Sequence, residues 1–339
     1  AIGLALSLGL WGSWTASAQD PFIVNDDTSS RRHFMKSSSS PPAGERDIPS
    51  KPDHVQIQTV TGCNADCIFC PNRKTKRHIP LGRRMEWDLY RSVVDQCLEL
   101  GVQRYTLYLM NEPMLYRELP QRVAYVSRRI RKPQYTKTTS HGGLLTERMA
   151  QGLLDSGLDK LKISVQSLNA DRYWDIMHLR LAKTLRNIDR FLELKAKGGY
   201  KRPKLEIVVV DSVHNHYEIP AIQKYWQERE IKLIIEPVEN RADHGTIRET
   251  ALGVRALGPF DWCRRLMEQI YVLHDGRMVM CCADWEQHTV MGDLKTTPLA
   301  DIWYGERYTD MRRRFAAGDI KGTLCERCRK QARNAEQAA

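Results

Sequence analysis

The sequence of 339 residues lacks a long block of like charge, although its formal net charge is +11. Its 52 Lys and Arg residues are dispersed among 41 Asp and Glu residues, and Arg-rich stretches such as 312–314 lie in helix-like segments, where a solvated face is expected. The sequence also lacks the interleaving of basic and aromatic residues that is typical of nucleic-acid binding. We therefore expect no nucleic-acid partner.

The N-terminal segment Ala1–Gln19 lacks any Lys or Arg ahead of its apolar run. It ends in Ala16-Ser17-Ala18, which is similar to a signal-peptide cleavage site, but a secretory signal has a basic region first. Met35 is an alternative start, so we predict that residues 1–34 are an artefact of start-site choice. Residues 1–50, rich in Ser, Pro, Asp and Arg towards their end, are predicted to be a disordered tail. A cytoplasmic protein without a membrane partner is expected.

From residue 51 onward, short β-like runs alternate with helix-period stretches. This pattern predicts an α/β fold, a partial (βα)6 barrel of parallel strands with chemistry at their carboxyl ends. After residue 240 the pattern changes to a hairpin around His274-Asp275-Gly276 and a helix over Pro298–Phe315, which indicates a small, separate C-terminal module over residues 258–332. The predicted strands are Val55–Thr59, Arg104–Leu109, Tyr135–Thr139, Lys160–Val165, Lys204–Val210 and Ile231–Glu236. The predicted core domain is residues 51–241.

Seven of the nine cysteines fall into two groups with metal-ligand spacing. The first is a Cys-x3-Cys-x2-Cys loop directly after the first predicted strand, formed by Cys63, Cys67 and Cys70. Three thiolates can hold a four-iron cluster and leave one iron open to another ligand. Structural zinc is the alternative, but such sites close with a fourth protein ligand.

This loop resembles that of the radical S-adenosylmethionine (radical SAM) superfamily, and the resemblance extends over about Val55–Arg241. It implies that S-adenosylmethionine chelates the open iron and is cleaved reductively to a 5′-deoxyadenosyl radical, which removes a hydrogen atom from the substrate. A reductant of the flavodoxin or ferredoxin type is also implied.

The resemblance implies cofactor-binding residues in the same order along the chain. Met110-Asn111-Glu112-Pro113 is similar to the Gly-Gly-Glu-Pro segment of the family, in which the Glu binds the methionyl ammonium, although both glycines are replaced here. Ser140, Ser164 and Arg180 match the positions that contact the rest of the cofactor. Phe69 is either an adenine contact or an ordinary core aromatic.

The second cysteine group comprises Cys263, Cys281, Cys325 and Cys328. Four thiolates can close a four-iron cluster completely, which suits electron transfer, but a four-cysteine zinc site uses the same ligands. The pattern resembles the shortened SPASM, or twitch, extension of radical SAM enzymes, which carries one auxiliary [4Fe-4S] cluster. By this resemblance Cys281 is the ligand and Cys282 the spare, although spacing alone leaves a swap open.

These features predict a radical SAM oxidoreductase that acts on a small polar metabolite or carbohydrate. The spare Cys282 supports a second hypothesis, a radical epimerase in which this thiol donates hydrogen to the substrate radical. A peptide-modifying enzyme is a further alternative, and a non-catalytic iron–sulfur or zinc sensor is the rival from another class. The sensor has no need for the cofactor residues around Glu112.

Overall fold

The computed structural model describes residues 51–72, 79–239, 241–242 and 262–328. The predicted disordered tail and the proposed alternative start at Met35 lie outside these residues. Within the described part of the chain, no helix is long and apolar enough to cross a membrane.

In the described part of the chain, nine strands form one sheet in the order β6-β5-β4-β3-β2-β1-β7-β8-β9. The six strands of the core domain are parallel and adjacent in sequence order, which confirms the predicted α/β class and its largely parallel sheet. The strands are β1 (His54–Ile57), β2 (Arg104–Thr106), β3 (Tyr135–Ser140), β4 (Lys160–Ser164), β5 (Lys204–Asp211), β6 (Lys232–Pro237), β7 (Gln269–Val272), β8 (Arg277–Val279) and β9 (Val290–Asp293).

Helices connect the parallel strands, as a right-handed crossover between neighbours requires. The helices before the last strand are α1 (Trp87–Glu99), α2 (Leu119–Ser127), α3 (Glu147–Asp155), α4 (Ala170–Met177), α5 (Leu181–Lys197), α6 (Ile219–Gln227) and α7 (Arg264–Glu268), and α8 (Leu299–Tyr304) and α9 (Glu306–Ala316) follow it. One apolar core cluster runs along the sheet and the helices that cover it, and Cys97 of α1 is fully buried there.

The short helix α4 has both of its ends set by local chemistry. Asn169 is its N-cap and accepts a hydrogen bond from the amide of Arg172 at 3.0 Å, which satisfies one of the free N–H groups of the first turn. His178 ends the helix in the left-handed region, with φ of 54°. The apolar periodicity of eight residues is too short to have marked this helix in the sequence.

The C-terminal hairpin extends the sheet of the core domain. Its first strand, β7, pairs in parallel with β1, with Val55 opposite Ile270, a pairing that was not predicted. Strand β9, which was not predicted, pairs with β8. The predicted helix over Pro298–Phe315 is divided at Gly305, whose backbone is extended and where a Cβ would lie 2.4 Å from the carbonyl oxygen of Asp301.

Candidate active site and C-terminal cysteine group

The first cysteine loop leaves the end of β1 through a glycine that the geometry requires. Gly62 has φ of +81°, and a Cβ at this position would lie 2.6 Å from Cδ1 of Leu81. The carbonyl oxygen of Gly62 accepts a hydrogen bond from the amide of Glu112 at 2.9 Å. The start of the cysteine loop is thereby tied to the segment that follows β2.

The other end of this loop is anchored on α4. The amides of Asp66 and Ile68 donate to the carbonyl oxygens of Met177 and Ile176 at 3.1 and 3.0 Å. These carbonyls belong to the last turn of the helix, where backbone acceptors are otherwise unsatisfied. Helix α4, which the sequence did not predict, therefore fixes the first cysteine loop, which the sequence predicted clearly.

The thiols of Cys63, Cys67 and Cys70 line one cavity of about 280 Å³ at the carboxyl ends of the parallel strands. The amide of Ala65 points at the sulfur of Cys63 at 3.3 Å. Burial, and next the neighbouring Cys70 and Cys63, raise the pKa of Cys67 well above its usual value. This repulsion between thiolates is what a bound cationic iron centre removes, so the donor set fits a cluster.

Glu112 is the carboxylate around which the opposite wall of the cavity is built. It is only 2% exposed. Oε1 accepts from the amide of Met114 at 3.0 Å and from the hydroxyl of Ser140 at 2.8 Å, and Oε2 accepts from the amide of His141 at 3.0 Å. Ser140 thus contacts Glu112 directly and holds it in place.

His141 joins Glu112 to the cysteine loop. Its Nδ1 accepts from the amide of Gly143 at 3.0 Å, so the neutral ring carries its proton on Nε2. Nε2 lies 3.0 Å from Oδ1 of Asn64, the residue after Cys63, and 3.3 Å from Oε2 of Glu112. With this contact, each carboxylate oxygen of Glu112 has two donors. A ligand ammonium must therefore displace one of them, and the longest of the four distances is the 3.3 Å from Nε2 of His141 to Oε2.

The remaining predicted cofactor residues fall into two groups. Phe69 and Ser164 line the cavity with Glu112 and Ser140, and Phe69 also packs on the core cluster. Arg180 does not line the cavity: it is exposed and stands at the N-cap of α5. The structure therefore does not bring Arg180 to the position that a methionyl carboxylate contact requires.

Met110 adopts a backbone conformation that normally requires glycine. Its φ is 55°, in the left-handed region, and it occupies the place of the first glycine of the Gly-Gly-Glu-Pro segment. Its side chain is buried beside Tyr271 and Trp285 in a second apolar cluster. Packing of the thioether thus holds a strained residue immediately before Asn111 and Glu112.

Two lysines on the strands were missed as site residues. Lys137 of β3 and Lys162 of β4 both line the cavity, together with Glu236 of β6. The strand sequences Tyr-Thr-Lys-Thr-Thr-Ser and Lys-Leu-Lys-Ile-Ser are unusually polar for parallel strands, which are normally apolar on both faces. This polarity was the sequence signal that could have identified the two lysines as site residues.

The second cysteine group is assembled from distant parts of the chain. Cys263 is the N-cap of α7, Cys281 follows β8, and Cys325 and Cys328 lie in a helical turn at 324–328. Burial, and next the neighbouring Cys263, raises the pKa of Cys325 to about 12. Burial also raises the pKa of Cys328 to about 11, with Cys263 adding to the effect. These effects place the thiols of Cys263, Cys325 and Cys328 near one another.

Cys282 lies beside this group but does not line the cavity. It is 8% exposed and belongs to the second apolar cluster, which also contains Met110, Tyr271 and Trp285. A hydrogen bond from Cys281 lowers the pKa of Cys282 below its usual value; burial opposes this shift, and the cations Arg265 and Arg241 add to it. Cys70 and Cys281, one from each cysteine group, both pack against this cluster.

In the part of the chain that the structure describes, no three His, Cys, Asp or Glu side chains converge on a single metal ion. The ligands of a four-iron cluster each bind a different iron, so their sulfur atoms surround a larger object than one ion. Near the C-terminal group, Asp284 closes its loop by accepting from the amides of His288 and Thr289 at 3.1 and 2.7 Å.

Two family models match the chain. Residues 57–213 match the radical SAM superfamily, and residues 263–329 match an iron–sulfur cluster-binding domain known as SPASM. Such domains imply a catalytic [4Fe-4S] cluster with S-adenosylmethionine and an auxiliary iron–sulfur cluster.

The individual relatives differ in how much of this chain they match. A probable GTP 3′,8-cyclase of Methanococcus maripaludis is 28% identical over 184 residues, 54% of this chain and 58% of its own length. An S-adenosyl-L-methionine-dependent 2-deoxy-scyllo-inosamine dehydrogenase of Niallia circulans is 22% identical over 281 residues, 81% of this chain and 91% of the relative. Streptococcus suis SuiB bound to its precursor peptide SuiA is a structural neighbour with a TM-score of 0.64 at 16% identity, covering 78% of this chain and 67% of SuiB.

Proposed function

Because this chain is a radical SAM protein with a C-terminal iron–sulfur cluster-binding domain, we propose that it oxidises a small polar metabolite or carbohydrate by hydrogen abstraction. The dehydrogenase relative from Niallia circulans supports this choice, because it matches both parts of the chain. The cyclase relatives match about half of the chain and about half of their own length. The observation that carries the proposal is that three clustered thiols and the hydrogen-bonded carboxylate of Glu112 line one cavity.

The two cysteine groups would hold two clusters with different redox roles. Cys63, Cys67 and Cys70 would hold the catalytic cluster, and Cys263, Cys281, Cys325 and Cys328 the auxiliary one. When bound, the first cluster with S-adenosylmethionine supplies a 5′-deoxyadenosyl radical that removes a hydrogen atom from the substrate, and the second supplies an acceptor for the electron released afterwards.

The residues around Glu112 bind and orient the cofactor. The carboxylate of Glu112 would accept from the methionyl ammonium in place of Nε2 of His141, which keeps Asn64 as its partner. Ser140 and the amides of Met114 and His141 hold the carboxylate still, so its orientation costs little entropy on binding. Ser164 and Phe69 would contact the adenosyl part. Arg180 is not assigned a role.

The electrons for the first cluster would come from a low-potential protein of the flavodoxin or ferredoxin type. We place the protein in the cytoplasm, because thiolate ligands and such a reductant require a reducing compartment.

The epimerase hypothesis depends on Cys282 as a hydrogen donor to the substrate radical. Since Cys282 is buried in the second apolar cluster, a donor role requires that Trp285 or Met110, which do line the cavity, move aside. Turnover in deuterated water separates the hypotheses: solvent deuterium in recovered substrate or its epimer, lost in Cys282→Ala, supports epimerisation, and an oxidised product without deuterium supports oxidation.

The proposal is tested by anaerobic reconstitution followed by an assay for 5′-deoxyadenosine with S-adenosylmethionine and dithionite. 2-Deoxy-scyllo-inosamine and a peptide are added in parallel as test substrates. We expect deoxyadenosine from the wild type and from Cys97→Ala, a matched control because Cys97 is a buried core residue. Absence of deoxyadenosine from fully iron-loaded protein, with or without these substrates, would favour the sensor hypothesis.

A further inference from the structure

The cavity is lined by three cations, Lys137, Lys162 and Arg241, and by three carboxylates, Glu112, Glu236 and Glu239. Lys162 lies 3.9 Å from Glu236, across β5. Among the described residues, Lys137 has no hydrogen bond or ion pair; only longer-range interactions, including those with Lys162 and Glu236, act on it. Two lysines therefore share one carboxylate.

The other charges at the cavity wall are already engaged. Glu239 forms ion pairs with Arg265 at 2.7 Å and with Arg241 at 3.2 Å, so it is not available to Lys137. Glu112 has its own four donors and faces the expected ammonium of the cofactor. Lys137 thus lines the cavity without a direct ion pair among the described residues, and Glu236 acts on it only at longer range.

From this arrangement we propose that the substrate carries an anionic group, a carboxylate or a phosphate, bound by Lys137 and Lys162 between the strands of the partial barrel. The inference rests on the proposed function, since it assigns the substrate class of the same cavity. An anion supplies the ion pair that Lys137, half-buried at the cavity wall, lacks among the described residues. Within the proposed class of small polar metabolites and carbohydrates we therefore expect a substrate with an anionic group, so the dehydrogenase relative supports the reaction type rather than an aminocyclitol substrate.

The test is calorimetric titration of the holoprotein, loaded with iron and saturated with S-adenosylmethionine, with inorganic phosphate and separately with malonate. Preference for phosphate indicates a phosphorylated substrate, and preference for malonate a carboxylated one. We expect Lys137→Met to bind the preferred anion at least about tenfold more weakly, equivalent to about 1.4 kcal/mol, and Lys137→Arg to restore it.

Lys160→Met is the matched control. It removes the same charge from the same strand as Lys162, but Lys160 stacks on Tyr135 with its ammonium 4.6 Å from the ring centroid and does not line the cavity. We expect it to bind the anion as the wild type does. Binding of neither anion, or equal binding by Lys137→Met, would overturn the inference.

A weaker affinity for S-adenosylmethionine in Lys137→Met, with anions competing against the cofactor, would also overturn it, because Lys137 would then hold the methionyl carboxylate. The titrations require no turnover. A protein that binds anions but forms no deoxyadenosine refutes the proposed function alone, and one that forms deoxyadenosine but binds no anion refutes only this inference.

Discussion

The two cysteine groups differ in how the fold brings their thiols together. Cys63, Cys67 and Cys70 lie within one loop, tied at its start to Glu112 and at its end to α4. The second group comes from three separate elements, which carry Cys263, Cys281, and Cys325 with Cys328. The pairing of β7 with β1 and the packing of α9 into the apolar core position these elements. Local sequence organises the first group, and tertiary structure organises the second.

Because of this difference, we expect substitutions in the two cysteine groups to have different consequences. A change in the first group acts on the radical chemistry and leaves the sheet intact, because the loop lies at the strand ends. A change in the second group acts on a region where Arg312, fully buried, donates to the carbonyl oxygen of Trp303 at 2.8 Å and stacks on its ring. Here loss of a cluster and loss of local stability go together.

The largest expected effect is that of Cys67→Ala on deoxyadenosine formation. Changes to groups that merely support metal ligands cost about 10- to 100-fold in activity, so removal of a ligand should lower the rate by more than about 100-fold. The rate is measured with dithionite and S-adenosylmethionine. Cys97→Ala, which removes a thiol from the core, should keep most of the activity; activity of Cys67→Ala near that of this control would refute the assignment.

The double variant Cys325→Ala, Cys328→Ala tests the second cysteine group. It should lose about four irons, because two of the four proposed auxiliary ligands are gone, and should still cleave S-adenosylmethionine while product formation from substrate stops. Iron analysis is paired with separate quantification of deoxyadenosine and product. Equal loss of both compounds would mean that the two cysteine groups do not act separately.

Glu112→Gln should weaken binding of S-adenosylmethionine by roughly 10- to 150-fold, since a hydrogen bond to a charged group contributes about 1.5–3 kcal/mol. The amide also presents a donor to the amides of Met114 and His141, which need acceptors. Equilibrium binding to the iron-loaded protein measures the effect. Glu118→Gln is the control, because Glu118 is exposed and accepts from Tyr116; a similar loss there would point to a general effect.

The smallest effect is the pH dependence of anion binding at Lys137, whose pKa is lowered to about 8 by burial, and next by Lys162. Glu236 opposes the shift, and Arg104 and Lys160 add to it. Lys137 is cationic below this pKa and neutral above it, so affinity should be constant below about pH 8 and fall as pH rises. The ratio to Lys137→Arg, which stays charged, removes the titration of the anion itself. A flat ratio from pH 7 to 9 would exclude Lys137 as the responsible group.

Much of the fold was predictable, because apolar runs and helix periodicity are local signals. The six core strands fall where the sequence placed them, and Cys67 and Glu112 were recognisable from spacing and order. The pairing of β7 with β1, the division of the last helix at Gly305 and the exposure of Arg180 were not, because each depends on packing between distant segments. Lys137 was missed because strand polarity was not interpreted as a ligand-facing interior.

The central claim, two clusters held by two independent sets of cysteines, is tested most directly by counting iron and zinc per chain after anaerobic reconstitution. The wild type is compared with the triple variant Cys63→Ala, Cys67→Ala, Cys70→Ala. We predict about eight irons in the wild type and about four in the variant, without zinc in either. About four irons with one zinc in the wild type, and zinc alone in the variant, would contradict it and make the C-terminal group a structural zinc site.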